Sequence, residues 1–232
     1  MGVSGGPNII EDGLILALDA GSTKSYPGSG TSITDLSGNG NDGTLANGPT
    51  FSDGAITFDG SDDVINLPSS NTLTGDNLQN MSVDMWLRYT AYGTMYAFSI
   101  KRSAQTSTLL TVTCNQNASN QVGHLGFLVR NNANSAHEWI THDGGYNDGN
   151  WHHLCGVVDG TNRILYIDGV QRTSSTGGIE SVTGNTFIAT IGAFSAGNLP
   201  YSGDISTTKF YRRSLSAEEV LQNYNSTKSR FI

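Results

Sequence analysis

The sequence predicts an all-β fold, a sandwich of two antiparallel sheets, with one short helix near the C-terminal end. Short apolar runs recur about every ten residues with turn-forming residues between them, which is typical of a sandwich. Glycine supplies 29 of the 232 residues, and charged residues make up only 14%. This composition favours strands and tight turns over helices. A chain of this length can form one large sandwich with a substantial core.

The stretch 151–171, WHHLCGVVDGTNRILYIDGVQ, is predicted to form a hairpin in the middle of that core. Its two arms, residues 154–158 and 164–167, are apolar on both faces, as expected for strands inside a sheet. The dipeptides Asp159-Gly160 and Asp168-Gly169 predict the chain reversals, because glycine adopts a positive φ freely and aspartate tolerates one.

Further strands are predicted where apolar residues alternate or cluster between turn residues. They cover residues 14–18, 55–58, 64–67, 81–90, 96–100, 109–114, 125–130, 138–141, 186–192 and 205–212. The strand 81–90 shows strict alternation, which places Met81 and Val83 on one face and Asp84 and Trp86 on the other.

The one predicted helix covers residues 216–225. Ser216 and Glu219 have the spacing of a capping box, in which the two side chains accept from backbone N–H groups at the helix start. Apolar residues at helical spacing are expected to face the body: Val220, Leu221 and Tyr224.

The ends of the chain predict a single domain with a short leading arm. Residues 1–12 are rich in glycine and predict a flexible or partner-bound arm, and residues 13–232 form the domain. The N-terminus lacks the basic and hydrophobic segments of a Sec signal peptide, so export by that route is not expected.

The charge balance argues against two classes of partner. The formal net charge is −8, and the 12 basic residues are spread thinly along the chain. Nucleic-acid binding needs clustered basic residues, and adhesion to anionic membranes needs the same. No apolar run approaches the ~18 residues of a spanning helix. Neither nucleic acid nor a membrane is therefore expected as a partner.

The two cysteines, Cys114 and Cys155, both fall inside predicted strands. They form a disulfide if those strands are neighbours, or remain two buried thiols that pack as small hydrophobic residues. The sequence favours the second alternative, because the chain lacks the cysteine density of a disulfide-stapled scaffold.

Five segments together resemble the laminin-G-like domains, which have the concanavalin-A-like jelly-roll fold. Their order and spacing match the family from about Gly13 to Asn225. The segments are DLSGNGNDGT (35–44), ITFDGSDDVINLP (56–68), MSVDMWLR (81–88), WHHLCGVVDGTNRILYIDG (151–169) and GDISTTKFYRRSLSAEEVLQNYN (203–225). The resemblance implies the two-sheet jelly roll, and carbohydrate binding is the usual function of the family.

Two segments resemble single-domain proteins of tailed bacteriophages, notably those of cyanobacteria and marine bacteria. They are residues 5–30 and 214–225. This resemblance implies a structural or accessory virion protein: a head-decoration, fibre or tail-associated protein, assembled in the host cytoplasm. Its partners would be capsid or tail proteins, further copies of itself, and host-surface glycans. The alternative is a free lectin-like carbohydrate-binding module.

The family also includes glycoside hydrolases, but this sequence predicts no catalytic residue. Glycosidases need two carboxylates ~5–9.5 Å apart, and none of the five glutamates has a carboxylate two or four residues away on a predicted strand. His152 and His153 are adjacent in a strand and point to opposite faces, so they cannot hold one ion together. The other histidines lack zinc-ligand spacing: His124, His137 and His142. The chain is expected not to be an enzyme and to need no cofactor.

Calcium is the one metal with candidate ligands. Asp59, Asp62 and Asp63 crowd one predicted hairpin tip, and Ca²⁺ takes hard oxygen ligands. In many relatives an aspartate of the late Gly-x-Ile strand joins such a tip; at the matching position this chain has Ser206. The three aspartates therefore form either a structural calcium site or a solvated turn.

Sugar recognition requires exposed aromatic rings and polar hydrogen-bonding groups. The loops of this sequence offer Tyr92 and Tyr96, Tyr146 with Asn147 in GGYNDGN (144–150), and Tyr201 in AGNLPYSG (196–203). Tyr146, Asn147 and Tyr201 are the predicted ligand-binding residues.

Overall fold

The computed structural model describes residues 8–69, 79–102, 108–115, 123–130, 137–177, 187–194 and 198–232. Sixteen strands are present in this part of the chain. In order, they are β1 (Leu14–Asp19), β2 (Ser32–Ile33), β3 (Gly43–Ala46), β4 (Thr50–Ser52), β5 (Ala55–Asp59), β6 (Val64–Asn66), β7 (Asn80–Arg88), β8 (Met95–Arg102), β9 (Thr108–Cys114), β10 (His124–Arg130), β11 (His137–Asp143), β12 (His152–Asp159), β13 (Asn162–Ile167), β14 (Val170–Thr176), β15 (Phe187–Ile191) and β16 (Ser202–Tyr211).

The strands form two antiparallel sheets, as predicted. The first sheet has the order β14-β13-β12-β7-β16-β5-β4, and β1 also pairs with β16. The second has the order β11-β10-β9-β8-β15-β6-β3-β2. The last strand of the chain, β16, therefore lies in the interior of the first sheet. It pairs with β7 along one side and with β5 and then β1 along the other.

The main core lies between the two sheets and is built from the inward-facing side chains of both. Phe98 of β8 and Phe210 of β16 meet across it, with ring centroids 6.0 Å apart. The sheets approach closely at Gly156, where an added Cβ would lie 2.9 Å from the ring of Phe127. Glycine at this position therefore lets a phenylalanine of the opposite sheet pack against the backbone.

The hairpin of β12 and β13 lies inside the first sheet, which confirms the prediction from its apolar arms. Asp168 and Gly169 both have a positive φ, of 54° and 75°, as a type I′ turn requires. The other reversal differs from the prediction by one residue. Because Asp159 pairs with Asn162, the turn residues are Gly160 and Thr161, and only Gly160 has a positive φ.

The central part of the outer face of the first sheet is buried as well. Asp84 and Trp86, on the outer side of β7, are fully buried. They are covered by helix α1 (Ala217–Thr227) and the 3₁₀ turn Lys228–Arg230. The Trp86 ring stacks on Phe231, with centroids 4.2 Å apart. The C-terminal segment thus gives the sheet a second apolar layer.

Helix α1 has the predicted capping box at Ser216 and Glu219 and runs two residues further than expected. Val220 is buried as predicted, but Leu221 is 45% exposed. The residues that follow Val220 on the buried side are polar: Asn223 and Thr227. Tyr224 stacks on Trp86 as the prediction of an inward-facing residue requires, but the apolar pattern did not show that Asn223 and Thr227 share this face through hydrogen bonds.

Residues 8–12, here called the N-terminal strap, are docked on the body. The Ile10 N–H donates to Asn223 Oδ1 at 2.8 Å, and the Tyr211 hydroxyl donates to the Ile10 carbonyl at 3.0 Å. Gln222 donates to the Asn8 carbonyl at 2.8 Å. The prediction was a flexible or partner-bound arm over residues 1–12. Residues 8–12 are instead bound to the body of the same chain, and residues 1–7, for which the arm stays a prediction, lie outside the described part of the chain.

Four strands were not predicted: β2, β3, β4 and β14. Three are only two to four residues long, and β14 is mostly polar and exposed. None of them carries an apolar run, which is the signal on which the prediction depends.

Both cysteines are free and buried, in different sheets. Cys114 belongs to the core between the sheets, and Cys155 lies in the smaller cluster on the outer face. Burial raises the pKa of both thiols. Of the two alternatives, the structure therefore has the buried thiols.

No helix in the described segments is both long enough and apolar enough to cross a bilayer.

Candidate binding cleft

A polar cleft of about 160 Å³ lies at one end of the sandwich, where β7 ends and β16 begins. Its lining includes Arg88 and Thr90 from the end of β7, and Ser202 and Asp204 from the start of β16. Gly149, in the loop before β12, closes the third side. Three chain segments that are far apart in sequence thus meet here.

The antiparallel register of β7 and β16 places Arg88 directly opposite Asp204. Arg88 Nε donates to Asp204 Oδ2 at 2.7 Å, and the other carboxylate oxygen accepts from the hydroxyl of Thr57. The guanidinium carbon also lies 4.9 Å above the centre of the Trp151 ring. These contacts hold one side of the Arg88 side chain in place, while 35% of that side chain remains exposed.

The wall of the cleft requires glycine at position 203. Gly203 has a φ of 148°, and an added Cβ would lie 2.4 Å from the carbonyl oxygen of Arg88. On the opposite side, the Gly149 N–H donates to the Tyr89 carbonyl at 3.1 Å. Backbone groups thus form much of the surface between the side chains.

The structure corrects the expected exposure of two predicted ligand residues. Tyr201 is fully buried, and its hydroxyl donates to the Arg88 carbonyl at 2.9 Å. Tyr146 is only 6% exposed, and its hydroxyl pairs with His142 Nδ1 at 2.8 Å. Neither ring offers a face for stacking. The Tyr201 hydroxyl instead holds the backbone at the end of β7, and the Tyr146 ring packs against His142 and His152.

The remaining predicted residues are divided between surface and interior. Asn147 is half-buried beside Gly123. Tyr96 packs edge-on against Phe194 and is also buried. Tyr92 is 66% exposed.

Trp151, which the sequence placed in the core hairpin, is half-buried beside Arg88. The sequence contained one signal for this placement: Trp151 comes directly before the first strand of the hairpin and so lies at its end.

The two adjacent histidines have separate partners, as their opposite directions predict. His152 Nδ1 lies 3.0 Å from Asp168 Oδ2, and its Nε2 lies 3.3 Å from Asp148 Oδ1. Burial lowers the pKa of His152, but hydrogen bonds and charge from Asp168 and then Asp148 outweigh it and raise the pKa overall. Asp148 lies next to Gly149 in sequence, so this imidazole holds the loop that closes the cleft.

His153 lies on the outer face in a fully buried charge cluster. Its Nε2 is 3.0 Å from Asp84 Oδ2, and Lys209 Nζ is 2.9 Å from Asp84 Oδ1. Asn223 of α1 donates to the same carboxylate at 3.1 Å. Burial alone would raise the pKa of Asp84, but Lys209 and His153 together hold it well below its ordinary value. This cluster joins β7, β12 and β16 to the helix.

The three aspartates of the predicted hairpin tip converge, with one oxygen of each within 4.8 Å of the others. Asp63 is 3% exposed and accepts from the Asp59 N–H at 2.9 Å. Burial, together with the charges of Asp59 and Asp62, raises the pKa of Asp63 against that hydrogen bond. Carboxylate oxygens at this separation fit the ligand distances of Ca²⁺.

The expected cross-strand ligand position is not at this tip. Ser202 pairs with Asp59, whereas Ser206 lies four residues further along β16 and donates to the Gly54 carbonyl at the far end of β5. A spacing of about 3.3 Å per residue puts Ser206 roughly 13 Å away. The serine at that position therefore says nothing about calcium binding at the tip.

The fold and the cleft define a class of protein: a jelly-roll β-sandwich with a small polar cleft among the loops at one end. Residues 59–221 match the laminin G type of the concanavalin A-like lectin/glucanases superfamily. The chain belongs to this superfamily. A search of curated proteins by sequence finds no match.

Solved structures with the same fold include binding domains. The binding domain of botulinum neurotoxin serotype D has a TM-score of 0.69 at 15% identity, over 94% of this chain and 53% of that chain. The binding domain of Paraclostridial Mosquitocidal Protein 1 has a TM-score of 0.69 at 17% identity, over 93% and 52%. This chain thus spans about half the length of these toxin domains.

A third structure matches over nearly its whole length. Domain 4 of AbnA, a GH43 extracellular arabinanase from Geobacillus stearothermophilus, in complex with arabinotriose, has a TM-score of 0.64 at 19% identity. The match covers 91% of this chain and 98% of that one. At these identities the likeness establishes the fold.

Proposed function

We propose that the chain is a non-enzymatic carbohydrate-binding module whose polar cleft holds one sugar unit of a glycan. The observation that carries the proposal is the Arg88–Asp204 pair, which presents charged hydrogen-bonding groups beside Trp151. Sugar hydroxyls need such donors and acceptors. The complex of the arabinanase domain with arabinotriose supports the same class of ligand.

The size of the cleft limits the ligand. Its volume of about 160 Å³ is below the ~300–1,000 Å³ of ordinary small-molecule pockets. A single sugar unit at the end or side of a longer chain is the ligand that such a cleft suits. We expect weak binding to one copy, and tighter binding where several copies act together.

The hydrogen bonds of the two carboxylates beside the cleft support a binding role rather than hydrolysis. Asp204 is engaged by Arg88 and Thr57, and Asp148 accepts from Asn150 and contacts His152. Each acid bordering the cleft thus has a structural partner. A glycosidase instead keeps two carboxylates directed at one glycosidic bond.

A glycan array followed by calorimetry tests the binding role. The wild type should bind at least one glycan, and Arg88→Ala should weaken that binding about tenfold or more, since a charge-assisted hydrogen-bond donor is lost. Arg172→Ala, which removes an exposed arginine of β14, is the matched control and should bind normally. Absence of binding to every glycan, or normal binding by a folded Arg88→Ala protein, would contradict the proposal.

A second proposal concerns where the module acts: as a structural or accessory component of a tailed-phage particle. The supporting observation is that the two segments with phage resemblance meet on one face. Asn8 and Ile10 of the N-terminal strap hydrogen-bond to Gln222 and Asn223 of α1. This joint surface is where we expect contact with capsid or tail proteins, or with another copy, after assembly in the host cytoplasm.

Mass spectrometry of particles purified from a phage that encodes the chain tests this second proposal. The chain should be present in stoichiometric amounts in the virion. Its absence from the particle would leave the free lectin-like module as the remaining candidate.

A further inference from the structure

A cavity of about 280 Å³ lies on the outer face of the first sheet, away from the polar cleft. Its floor is formed by β1 and β16, and its other walls by the N-terminal strap, the loop after β2 and the end of α1. The strap contributes Ile9 and Glu11. We call it the strap cavity. Neither of the proposed functions uses it.

Two polar side chains on the floor of the strap cavity have fewer hydrogen bonds within the described residues than they can form. Thr207 is 2% exposed, and its hydroxyl has no hydrogen-bond partner among the described residues. Beside it on the same face of β16, the ammonium of Lys209 donates to Asp84 Oδ1 at 2.9 Å. An ammonium has three donors, and the described part of the structure gives this one a single hydrogen bond. Buried donors of this kind normally have an acceptor.

The walls above the floor are mostly apolar. Ile9 of the strap lines them, Leu14 continues the apolar surface at the start of β1, and Leu36 stands at the rim. Leu36 is 43% exposed, so the cavity has an apolar opening to solvent. A molecule inside would meet hydrogen-bond donors at one end and apolar side chains along its body.

The charges nearby disfavour an ionised ligand. Lys209 is already neutralised by Asp84, and Asp19 is neutralised by Arg230, with a contact of 2.8 Å. The remaining charge is that of Glu11, which is exposed at the rim. An ionised group inside would lose its hydration without gaining an unpaired counter-charge.

We propose that the strap cavity binds a small uncharged molecule with an apolar body and one acceptor oxygen, an alcohol or a ketone. The oxygen accepts from Lys209 Nζ and the Thr207 hydroxyl, and the apolar body contacts Leu14 and Ile9. This inference does not depend on sugar binding, because the two sites share no residue.

Cyclohexanol is the probe, and its binding is followed by NMR titration and by the shift in melting temperature. Saturable binding is expected, and cyclohexanecarboxylate should bind at least about tenfold more weakly because its charge must be desolvated. Thr207→Val should weaken cyclohexanol binding about fivefold through loss of one hydrogen-bonding group. Ala17→Leu, which fills the cavity from β1, should abolish it.

The controls separate the site from general effects on the fold. Thr208→Val makes the same chemical change on the opposite face of β16 and should leave binding unchanged. Arg88→Ala should also leave cyclohexanol binding intact, so failure at the polar cleft and failure here are distinguishable. If Ala17→Leu does not fold, the comparison of Thr207→Val with Thr208→Val decides the matter. Lack of saturable binding, equal binding of the carboxylate, or equal effects of the two threonine variants would overturn the proposal.

Discussion

Asp84 shows how one residue can hold the outer face of the sheet together. It is fully buried and contacts Lys209, His153 and Asn223. A buried charge is tolerated only when its partners compensate for lost hydration. The residues of this cluster come from β7, β12, β16 and α1, so their contacts fix the helix on the sheet.

Removing one member of this cluster should be costly. Asp84→Asn leaves Lys209 buried without its counter-charge, and we expect a loss of about 3–5 kcal/mol in the free energy of unfolding. Replacing the pair together, by Asp84→Leu with Lys209→Met, should recover part of that loss, because the Lys209 charge is no longer left unpaired, while His153 and Asn223 still lose the oxygen that they contact. Urea unfolding of the single and double variants measures the difference. Additive losses in the double variant would show that the two charges act independently.

His152 makes a second prediction, for pH dependence. Its pKa is raised above the ordinary value of 6.5 by Asp168 and Asp148, against the opposing effect of burial. The protonated form therefore stabilises the fold; this contribution is complete below pH 6.5 and is lost as the pH rises through the raised pKa. His152→Gln should be destabilised relative to the wild type at about pH 5 but much less at about pH 8.

Urea midpoints of both proteins across that range provide the measurement. Asp168→Asn, which removes the nearer carboxylate, should reduce the same pH dependence while keeping the imidazole. A constant difference between wild type and His152→Gln at every pH would show that the histidine contributes only by packing.

The lining of the candidate cleft does not include the ligand residues predicted from loop composition. Tyr146 and Tyr201 had the composition of a sugar site around them, but both rings face inward. Arg88 and Asp204 were not predicted as a site, because their proximity depends on pairing across a sequence separation of 116 residues. A single sequence contains no local signal for such a contact.

At the scale of elements, apolar patterning predicted the long strands and missed the short ones. The arms of β12 and β13 were clear because both faces are apolar, whereas β4 is exposed throughout its three residues. The capping box located the start of α1 correctly. It could not show which side of the helix is buried, because Asn223 and Thr227 are buried through hydrogen bonds.

The turn between β5 and β6 gives a prediction about calcium. Asp59, Asp62 and Asp63 bring three carboxylates together, and a divalent cation would relieve their repulsion. We expect millimolar calcium to raise the melting temperature of the wild type, and Asp62→Asn to remove most of that response.

Asp53→Asn, in the exposed turn before β5, removes a carboxylate elsewhere and should respond to calcium like the wild type. Differential scanning calorimetry in chelated and calcium-containing buffers makes the comparison. No response in the wild type would identify the turn as simply solvated.

At the scale of the whole molecule, the spacing of strands and turns in the sequence predicted the fold class. It did not predict the layer of C-terminal residues that covers the outer side of the first sheet. The alternation along β7 assigns its side chains to two faces of the sheet. It cannot show whether the second face is exposed to solvent or covered by another layer. The C-terminal segment decides this, since Phe231 and Tyr224 both stack on Trp86.

A fragment ending at residue 200 should not form the first sheet, because it lacks β16, which separates β7 from β5 and β1. We expect it to show no cooperative unfolding transition by circular dichroism and to be degraded rapidly by protease. A fragment ending at residue 227 keeps β16 and α1 and should unfold cooperatively. A cooperative transition in the shorter fragment would show that the remaining strands are sufficient.

The interior position of β16 also has a consequence for how the protein is made. A ribosome adds about 5–20 residues per second, so roughly 10–40 s separate the synthesis of β1 from that of the end of β16. Until then β5 and β7 lack the strand between them, and their unpaired edges are open to wrong partners. Completion of the sheet must therefore wait until β16 has been synthesised. Folding dominated by such distant pairings is slow, and chaperones that shield the nascent strands should increase the yield of native protein.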